Sequence, residues 1–327
     1  MNQLTSEQIT RLVQQYVRSL SYARQPFGLY DPIEYVLGLG GKRLRPVLMA
    51  LAYNMYRDDV RSILPQAAAI ETYHNFTLLH DDLMDKADMR RGRPTVHTKW
   101  DDNTAILSGD AMLILSFKLM MQDCPVTLVT KVMDAFSQAA IEVCEGQQWD
   151  MEFESRSDVT ENEYMEMIRL KTGVLIACPM KIGALLGGAS DKDAEKLYEF
   201  GIKMGLAFQL QDDFLDVYGD SATFGKNIGG DIVCNKKTFM LISALNLASA
   251  ADKSQLDKWL MAETFCPQEK IAAVTYIYNK VGIADLCKRK IDDLYSEGLA
   301  LLDSVDVPVD RKSELRNYVC KLIDRKL

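Results

Sequence analysis

Two copies of one acidic pattern stand far apart in the chain, Asp81-Asp82-Leu83-Met84-Asp85 and Asp212-Asp213-Phe214-Leu215-Asp216. On a helix, residues four apart share a face, so Asp81 with Asp85, and Asp212 with Asp216, each form a pair of carboxylates pointing the same way. Like charges held together repel, and a cation relieves them. The chain has only three histidines, and a hard, all-oxygen donor set favours Mg²⁺ over zinc. Mg²⁺ held by one or two carboxylates per helix completes its shell with water and substrate phosphates. The pattern therefore demands helices and predicts a phosphorylated ligand between two of them.

The rest of the chain agrees with a helical reading. Thr5 with Gln8, and Thr160 with Glu163, have capping-box spacing ahead of apolar residues at helical intervals. Pro65 is placed to open a long helix running through Ala67, Ile70, Tyr73, Phe76 and Leu79 into the first acidic motif. A second long helix is expected from Ala194 to Tyr218, with Leu197, Phe200, Met204, Ala207 and Phe208 on or near its packing face and Gly219 at its end. There are no extended period-two runs. The expectation is an all-α helical bundle forming one domain over residues 1–327, with the two motifs reflecting two halves of that bundle. The segments 88–103 and 218–237, rich in glycine and charge, each follow an acidic motif and read as loops over a site.

Composition narrows the function classes. Apolar residues make up 48% and charged residues 26%, an ordinary globular balance. A net charge of −8 argues against nucleic-acid binding. The seven cysteines are scattered singly and form no CxxC pair, which fits reduced thiols in the cytoplasm. Residues 1–20 have no uninterrupted apolar core of a secretory signal, and Asp110 and Lys118 break the Ile106 to Met121 run, which reads as too short and too polar for a membrane span. Basic residues gather locally at Lys42/Arg43/Arg45, Arg90/Arg91/Arg93 and Lys226/Lys236/Lys237. Small basic clusters in an acidic chain suggest a buried anionic ligand.

Each acidic motif follows apolar residues, Phe76, Leu78 and Leu79 before one, Phe208 and Leu210 before the other. That places the acids at the ends of buried helices, where unpaired carboxylates are costly without a ligand. The Arg90-Arg91-Gly92-Arg93 run is either a solvated turn or a set of guanidinium forks for diphosphate oxygens. Gly40-Gly41-Lys42-Arg43-Leu44-Arg45-Pro46, taken alone, is an ordinary turn between helices. His74 lies on the Asp81 face by helical period and reads equally as a satisfied core histidine.

Taken together these segments closely resemble the trans-isoprenyl diphosphate synthases, the polyprenyl synthetase family that includes farnesyl and geranylgeranyl diphosphate synthases. The resemblance covers most of the chain, from Gly40 to about Lys237. It rests on GGKRLRP at Gly40 to Pro46, LLHDDLMDKADMRRGRPT at Leu78 to Thr95, KTG at Lys171 to Gly173, FQLQDDFLD at Phe208 to Asp216, FGKNIGGD at Phe224 to Asp231 and NKKT at Asn235 to Thr238. It implies the isoprenoid-synthase bundle with a central cavity, and chain elongation by condensing isopentenyl diphosphate with an allylic diphosphate. In that reading Asp81, Asp85 and Asp212 hold Mg²⁺, with Asp82, Asp213 and Asp216 supporting the metal sites. Arg90, Lys171, Lys226 and Lys236 bind the allylic diphosphate; Lys42, Arg45, His74 and Arg91 bind isopentenyl diphosphate without metal. Lys171, Thr172 and Gln209 steady the carbocation through carbonyl or side-chain dipoles, and the departing pyrophosphate takes the proton.

By the same resemblance, Phe76 and Thr77, five and four positions before Asp81, form part of the floor of the tunnel for the growing chain, and Tyr73 lies one turn deeper as a second stop. A large ring at Phe76 implies early termination, so geranylgeranyl diphosphate is the expected product, with farnesyl or a longer polyprenyl diphosphate as the alternatives. Terpene cyclases and head-to-head synthases share acidic helices but not the GGKRLRP and RRG segments. Non-catalytic partner subunits usually lose one aspartate motif, and both are intact here. The family is usually homodimeric, and neither nucleic-acid binding nor integral membrane association is expected.

Overall fold

The computed structural model describes residues 3–219 and 228–323, and these are almost entirely helical. Among them the only strands are Met89–Arg90 and Arg93–Pro94, which pair antiparallel as a minimal hairpin. The all-α expectation holds, and the reason is visible in the caps and patterns the sequence carries. The chain resolves into two compact units, and each contains one acidic motif.

The first unit comprises Met1–Gln138, Cys178–Tyr198 and Val305–Leu315. Its α1 (Ser6–Ser19) begins with the expected Thr5–Gln8 capping box and packs on α3 (Leu44–Asn54) and α4 (Leu64–Met84). Between α1 and α3, α2 (Phe27–Gly38) lies against α4 and α6 (Asp102–Met121). Pro65 opens α4 as expected. The helix is buried on nearly every face from Leu64 to Phe76, with Gln66, Glu71, Thr72 and Asn75 buried among its apolar residues. Along it lies α6, whose inner face is made of Ala105, Ser108, Gly109, Met112 and Ser116. Small residues allow close approach: a Cβ at Gly109 would sit 2.1 Å from His80 Nε2. This contact fixes the aspartate end of α4. The segment expected as a loop over 88–103 holds the hairpin and the short α5 (Val96–Lys99).

The opposite face of α6 exposes Ile106 (44%), Leu107 (60%), Ile114 (64%) and Met121 (47%) beside Asp110 and Lys118. The full helix is longer than the Ile106 to Met121 run. By length and composition alone, α6 and the stretch Glu161–Gly187 are each apolar enough to cross a membrane, with 39% and 83% of their most apolar windows buried.

The second unit comprises Ala139–Ala177, Glu199–Ser304 and Arg316–Leu327. Three helices, α7 (Val129–Ser155), α9 (Val174–Gly187) and α10 (Asp191–Tyr218), contribute residues to both units. In the second unit α8 (Glu161–Ile168) starts from the Thr160–Glu163 capping box and runs into a π-helical turn, Arg169–Gly173. Such wide turns commonly mark functional positions, and this one carries Lys171 and Thr172. The helix read as Ala194 to Tyr218 is α10, three residues longer at its start. Beyond it, α11 (Gly230–Val233) packs on α14 (Pro267–Lys280), α12 (Phe239–Leu247) packs on α15 (Ile283–Asp303), and α13 (Ala250–Met261) packs on α14. A final helix, α16 (Val309–Ile323), is shared between the units.

Candidate active site

In the first unit, Asp81 and Asp82 occupy the last turn of α4, and Asp85 caps it through an N–H bond to the Asp81 carbonyl at 2.9 Å. The C-terminal end of a helix is the negative end of its dipole, and no basic residue lies in this last turn. Acids placed there are disfavoured until a cation joins them. Asp82 is 5% exposed and is gripped by Arg90, whose Nε donates to both carboxylate oxygens at 2.8 and 2.7 Å while its NH2 lies 2.7 Å from Oδ1. Burial opposes the Arg90 charge, but Asp82, Asp81 and Asp85 outweigh it and hold the guanidinium above its ordinary value.

The basic turn before α3 is anchored by Arg43, which takes a left-handed backbone with φ 51°. Its side chain is buried, bonded to Glu71 Oε1 at 2.5 Å and to the Leu37 carbonyl at 2.6 Å. Asn75 donates to the same Glu71 oxygen at 2.9 Å. Arg43 is therefore structural: it ties the turn to α4. Arg91, also left-handed at φ 53°, donates to the Gly40 carbonyl. Gly41 lies at φ +132°, where an added Cβ would sit 3.0 Å from the Arg91 guanidinium, so only glycine gives that arginine its seat. Left-handed non-glycine residues are costly, and Arg43, Lys86 and Arg91 gather them around this one motif.

Arg45 NH1 and His74 Nε2 lie 3.1 Å apart. An arginine only donates, so Nε2 accepts and the ring hydrogen sits on Nδ1. Burial, and then Arg45, Arg91, Arg90 and Arg43, push His74 well below the usual histidine value and keep it neutral. Burial likewise lowers Arg45 to about 10, with Arg91 adding to the effect and Glu71 opposing it. The Arg45 Nε is buried without a hydrogen-bond partner. A buried donor of that kind is expensive unless an acceptor reaches it.

Of the expected floor residues, Phe76 is 9% exposed and sits edge-on to Tyr73 at 5.5 Å and to His80 at 4.8 Å between ring centres. Tyr73 meets Phe136 at 5.4 Å, and Phe136 meets Phe117 at 4.9 Å. Phe76 thus heads a column of rings. The Thr77 hydroxyl donates back to the His74 carbonyl at 2.9 Å.

In the second unit, Asp212, Asp213 and Asp216 lie in the last two turns of α10, again at a helix C-terminus without a basic residue in its last turn. Asp213 is 3% exposed and accepts from the Tyr164 hydroxyl and from Gln209 Nε2, the latter at 2.9 Å. Burial raises its carboxyl, while Lys236, Tyr164 and Gln209 pull it down. Asp216 Oδ2 accepts from the Asp231 backbone N–H at 2.9 Å and thereby anchors the start of α11. From the π-helical turn, Lys171 reaches Asp150 at 2.6 Å and Thr172 donates to Gln209 at 3.1 Å. Lys236 lies 3.8 Å from Asp231; burial opposes its charge, but Asp213, Asp231, Asp150 and Asp216 hold it above the ordinary lysine value. Its turn is fixed by Lys270, fully buried, which donates to the Val233 carbonyl at 3.1 Å and to Asn235 Oδ1 at 2.6 Å. Lys226 lies outside the described residues.

Glu71, Asp150, Tyr164 and Lys270 were not legible as site residues. Each is one of many of its kind and meets its partner across 21 to 49 residues of chain. Only packing distinguishes them. Among the described residues no three His, Cys, Asp or Glu side chains are grouped to hold a metal by themselves.

The polyprenyl synthetase family model matches residues 27–279. The chain belongs to the polyprenyl synthetase family. The family is one of prenyltransferases, and this chain is one. A geranylgeranyl diphosphate synthase from Methanosarcina mazei is 41% identical over 281 residues, covering 85% of this chain and 84% of that protein. The crystal structure of a geranylgeranyl pyrophosphate synthase superposes with a TM-score of 0.94 at 40% identity over the whole of both chains. That of the Corynebacterium glutamicum geranylgeranyl pyrophosphate synthase, complexed with isoprenyl diphosphate and magnesium, gives 0.85 at 28% identity over 98% of each.

Proposed function

We propose that this polyprenyl synthetase condenses isopentenyl diphosphate with an allylic diphosphate and releases geranylgeranyl diphosphate. The observation that carries the reading is the build of each acidic motif: carboxylates at the C-terminal end of a buried helix, beside basic side chains oriented by carboxylate acceptors, Asp82 for Arg90 and Asp150 for Lys171. The donor set fits Mg²⁺, being all oxygen and placed where the helix dipole adds to the negative potential. Asp81 and Asp85 would hold the metal in the first unit and Asp212 in the second, with Asp82, Asp213 and Asp216 behind them. When bound, Mg²⁺ neutralises the diphosphate and stabilises pyrophosphate as a leaving group.

Arg90, Lys171 and Lys236, with Lys226, take the remaining oxygens of the allylic diphosphate. Lys42, Arg45, His74 and Arg91 take isopentenyl diphosphate, which does not ionise and needs only a cationic pocket; the unpartnered Arg45 Nε supports an anion there. Thr172 and Gln209, with the Lys171 carbonyl, steady the allylic cation while the isopentenyl double bond attacks it. The released pyrophosphate removes the proton, so no side chain is assigned as base. Phe76, with Tyr73 behind it, ends the growing chain.

The reading takes residues 1–327 as one polyprenyl synthetase domain, supported by the length of the family match. A cytoplasmic location is supported by seven cysteines that are all free. A homodimer is supported by the exposed stripe Leu107, Ile114 and Met121 on α6, spaced by seven residues on one helical face.

The test is incubation of the purified protein and Mg²⁺ with isopentenyl diphosphate and dimethylallyl, geranyl or farnesyl diphosphate, followed by chain-length analysis of the dephosphorylated products. A geranylgeranyl product is expected. A farnesyl or longer product would keep the chemistry and discard the floor, and no condensation with any primer would favour a non-catalytic partner subunit.

A further inference from the structure

Gln209 carries an amide with a donor end and an acceptor end, and only the oxygen end suits a forming carbocation. Its Nε2 donates to Asp213 Oδ1 at 2.9 Å, and its Oε1 accepts from the Thr172 hydroxyl at 3.1 Å. Both Asp213 oxygens are taken as acceptors, Oδ1 by Gln209 and Oδ2 by Tyr164, so the Gln209 nitrogen faces Asp213 and its oxygen faces Thr172. Asp213 is itself fixed by the Tyr164 hydroxyl, which donates to Oδ2. Tyr164 is 1% and Asp213 3% exposed, so water does not compete for the bond between them, while Thr172 and Gln209 are half-buried.

The elements that carry this relay of hydrogen bonds are rigid. Tyr164 stands on α8, locked at its start by the Thr160–Glu163 box; Thr172 is in the π-helical turn that follows directly; Gln209 and Asp213 are one turn apart on α10. Every bond in the relay is donated toward Asp213, from Thr172 to Gln209, from Gln209 to Asp213, and from Tyr164 to Asp213. The Thr172 hydrogen is committed to Gln209, which leaves its oxygen lone pairs at the outer end.

We propose that Tyr164 and Asp213 are positioning residues that set the polarity of the Thr172–Gln209 pair, so that it offers oxygen and no N–H to the allylic cation. The inference rests on the prenyl-transfer reading and deepens it. It gives Asp213 a role through Gln209 and adds Tyr164, which no sequence motif marks. An asparagine at 213 both donates and accepts, so it no longer forces Gln209 to turn its nitrogen inward.

Steady-state kinetics and Mn²⁺ binding, followed by electron paramagnetic resonance with inorganic pyrophosphate present, are compared for the wild type, Tyr164→Phe, Asp213→Asn and Asp213→Asn/Gln209→Glu. Asp212→Asn serves as the reference for loss of a metal ligand. Tyr164→Phe is expected to bind Mn²⁺ within about twofold of wild type and to keep the allylic KM while kcat falls about tenfold or more, and Asp213→Asn should show the same fall in kcat. In the double variant the amide introduced at position 213 donates to the carboxylate introduced at position 209, and an oxygen again meets Thr172, so part of the lost kcat should return. Mn²⁺ affinity lost in Asp213→Asn as in Asp212→Asn would make Asp213 a metal ligand and overturn the proposal. An unchanged kcat in both single variants would overturn it as well. A wild type that binds Mn²⁺ with pyrophosphate but condenses no primer would instead overturn the prenyl-transfer reading, a failure distinct from that of the relay.

Discussion

Arg45 and His74 share a hydrogen bond whose direction fixes the charge of the pair. Because His74 is held neutral by burial and four arginines, it resists a proton that the unfolded chain accepts near pH 6.5. Below about pH 6.5 the unfolded state therefore binds more protons, and stability falls as pH drops; above it the contribution is level. His74→Gln keeps an acceptor for Arg45 without titrating. Urea midpoints measured between about pH 5 and 7 should fall less steeply for the variant than for wild type, and parallel slopes would show that His74 titrates freely. Among the carboxylates, Asp82 and Asp213 are occupied by protein donors, whereas Asp81 is assigned to the metal. Asp81→Ala should lower turnover by at least a few powers of ten, about 3–5 kcal/mol of transition-state stabilisation. A mild effect would remove Asp81 from that role.

Two helices, α4 and α10, do for this chain what no single residue could: each runs buried through its unit and delivers carboxylates at its C-terminal end. The close packing of α6 on α4 at Gly109 and His80 holds the first of these ends in place. On the same helix α4, the rings of Phe76 and Tyr73 lie one and two turns before the acids, and Phe136 and Phe117 extend the column. Phe76→Ala should lengthen the product, measured by chromatography of the dephosphorylated alcohols. Tyr73 backed by Phe136 should then act as the next stop, so Phe76→Ala with Tyr73→Ala should give a longer product still. An unchanged chain length in both variants would place the floor elsewhere.

At the scale of the molecule, the α6 stripe is the largest commitment of apolar side chains to solvent on a single helix among the described residues, with Ile114 at its centre 64% exposed. A second copy of the chain is the proposed cover. Ile114→Lys should convert a dimer into a monomer in light scattering coupled to size exclusion, and a wild type that is already monomeric would refute the proposal. The helical class, both capping boxes, the Pro65 start and the Asp212-bearing helix were all legible in sequence, because they depend on contacts within a few residues. So was the acidic repeat with the chemistry it demands. Helical spacing pairs Asp81 with Asp85 and Asp212 with Asp216; the partners of Asp82 and Asp213 come from the fold, Arg90 for the first and Tyr164 and Gln209 for the second. In the GGKRLRP turn, burial against Glu71 makes Arg43 an anchor, while the Arg45 Nε is left without a hydrogen-bond partner. Local spacing determined which residue types stand at the site. Which of them is held and which does the holding was decided only by tertiary structure, because it depends on partners that only folding brings together.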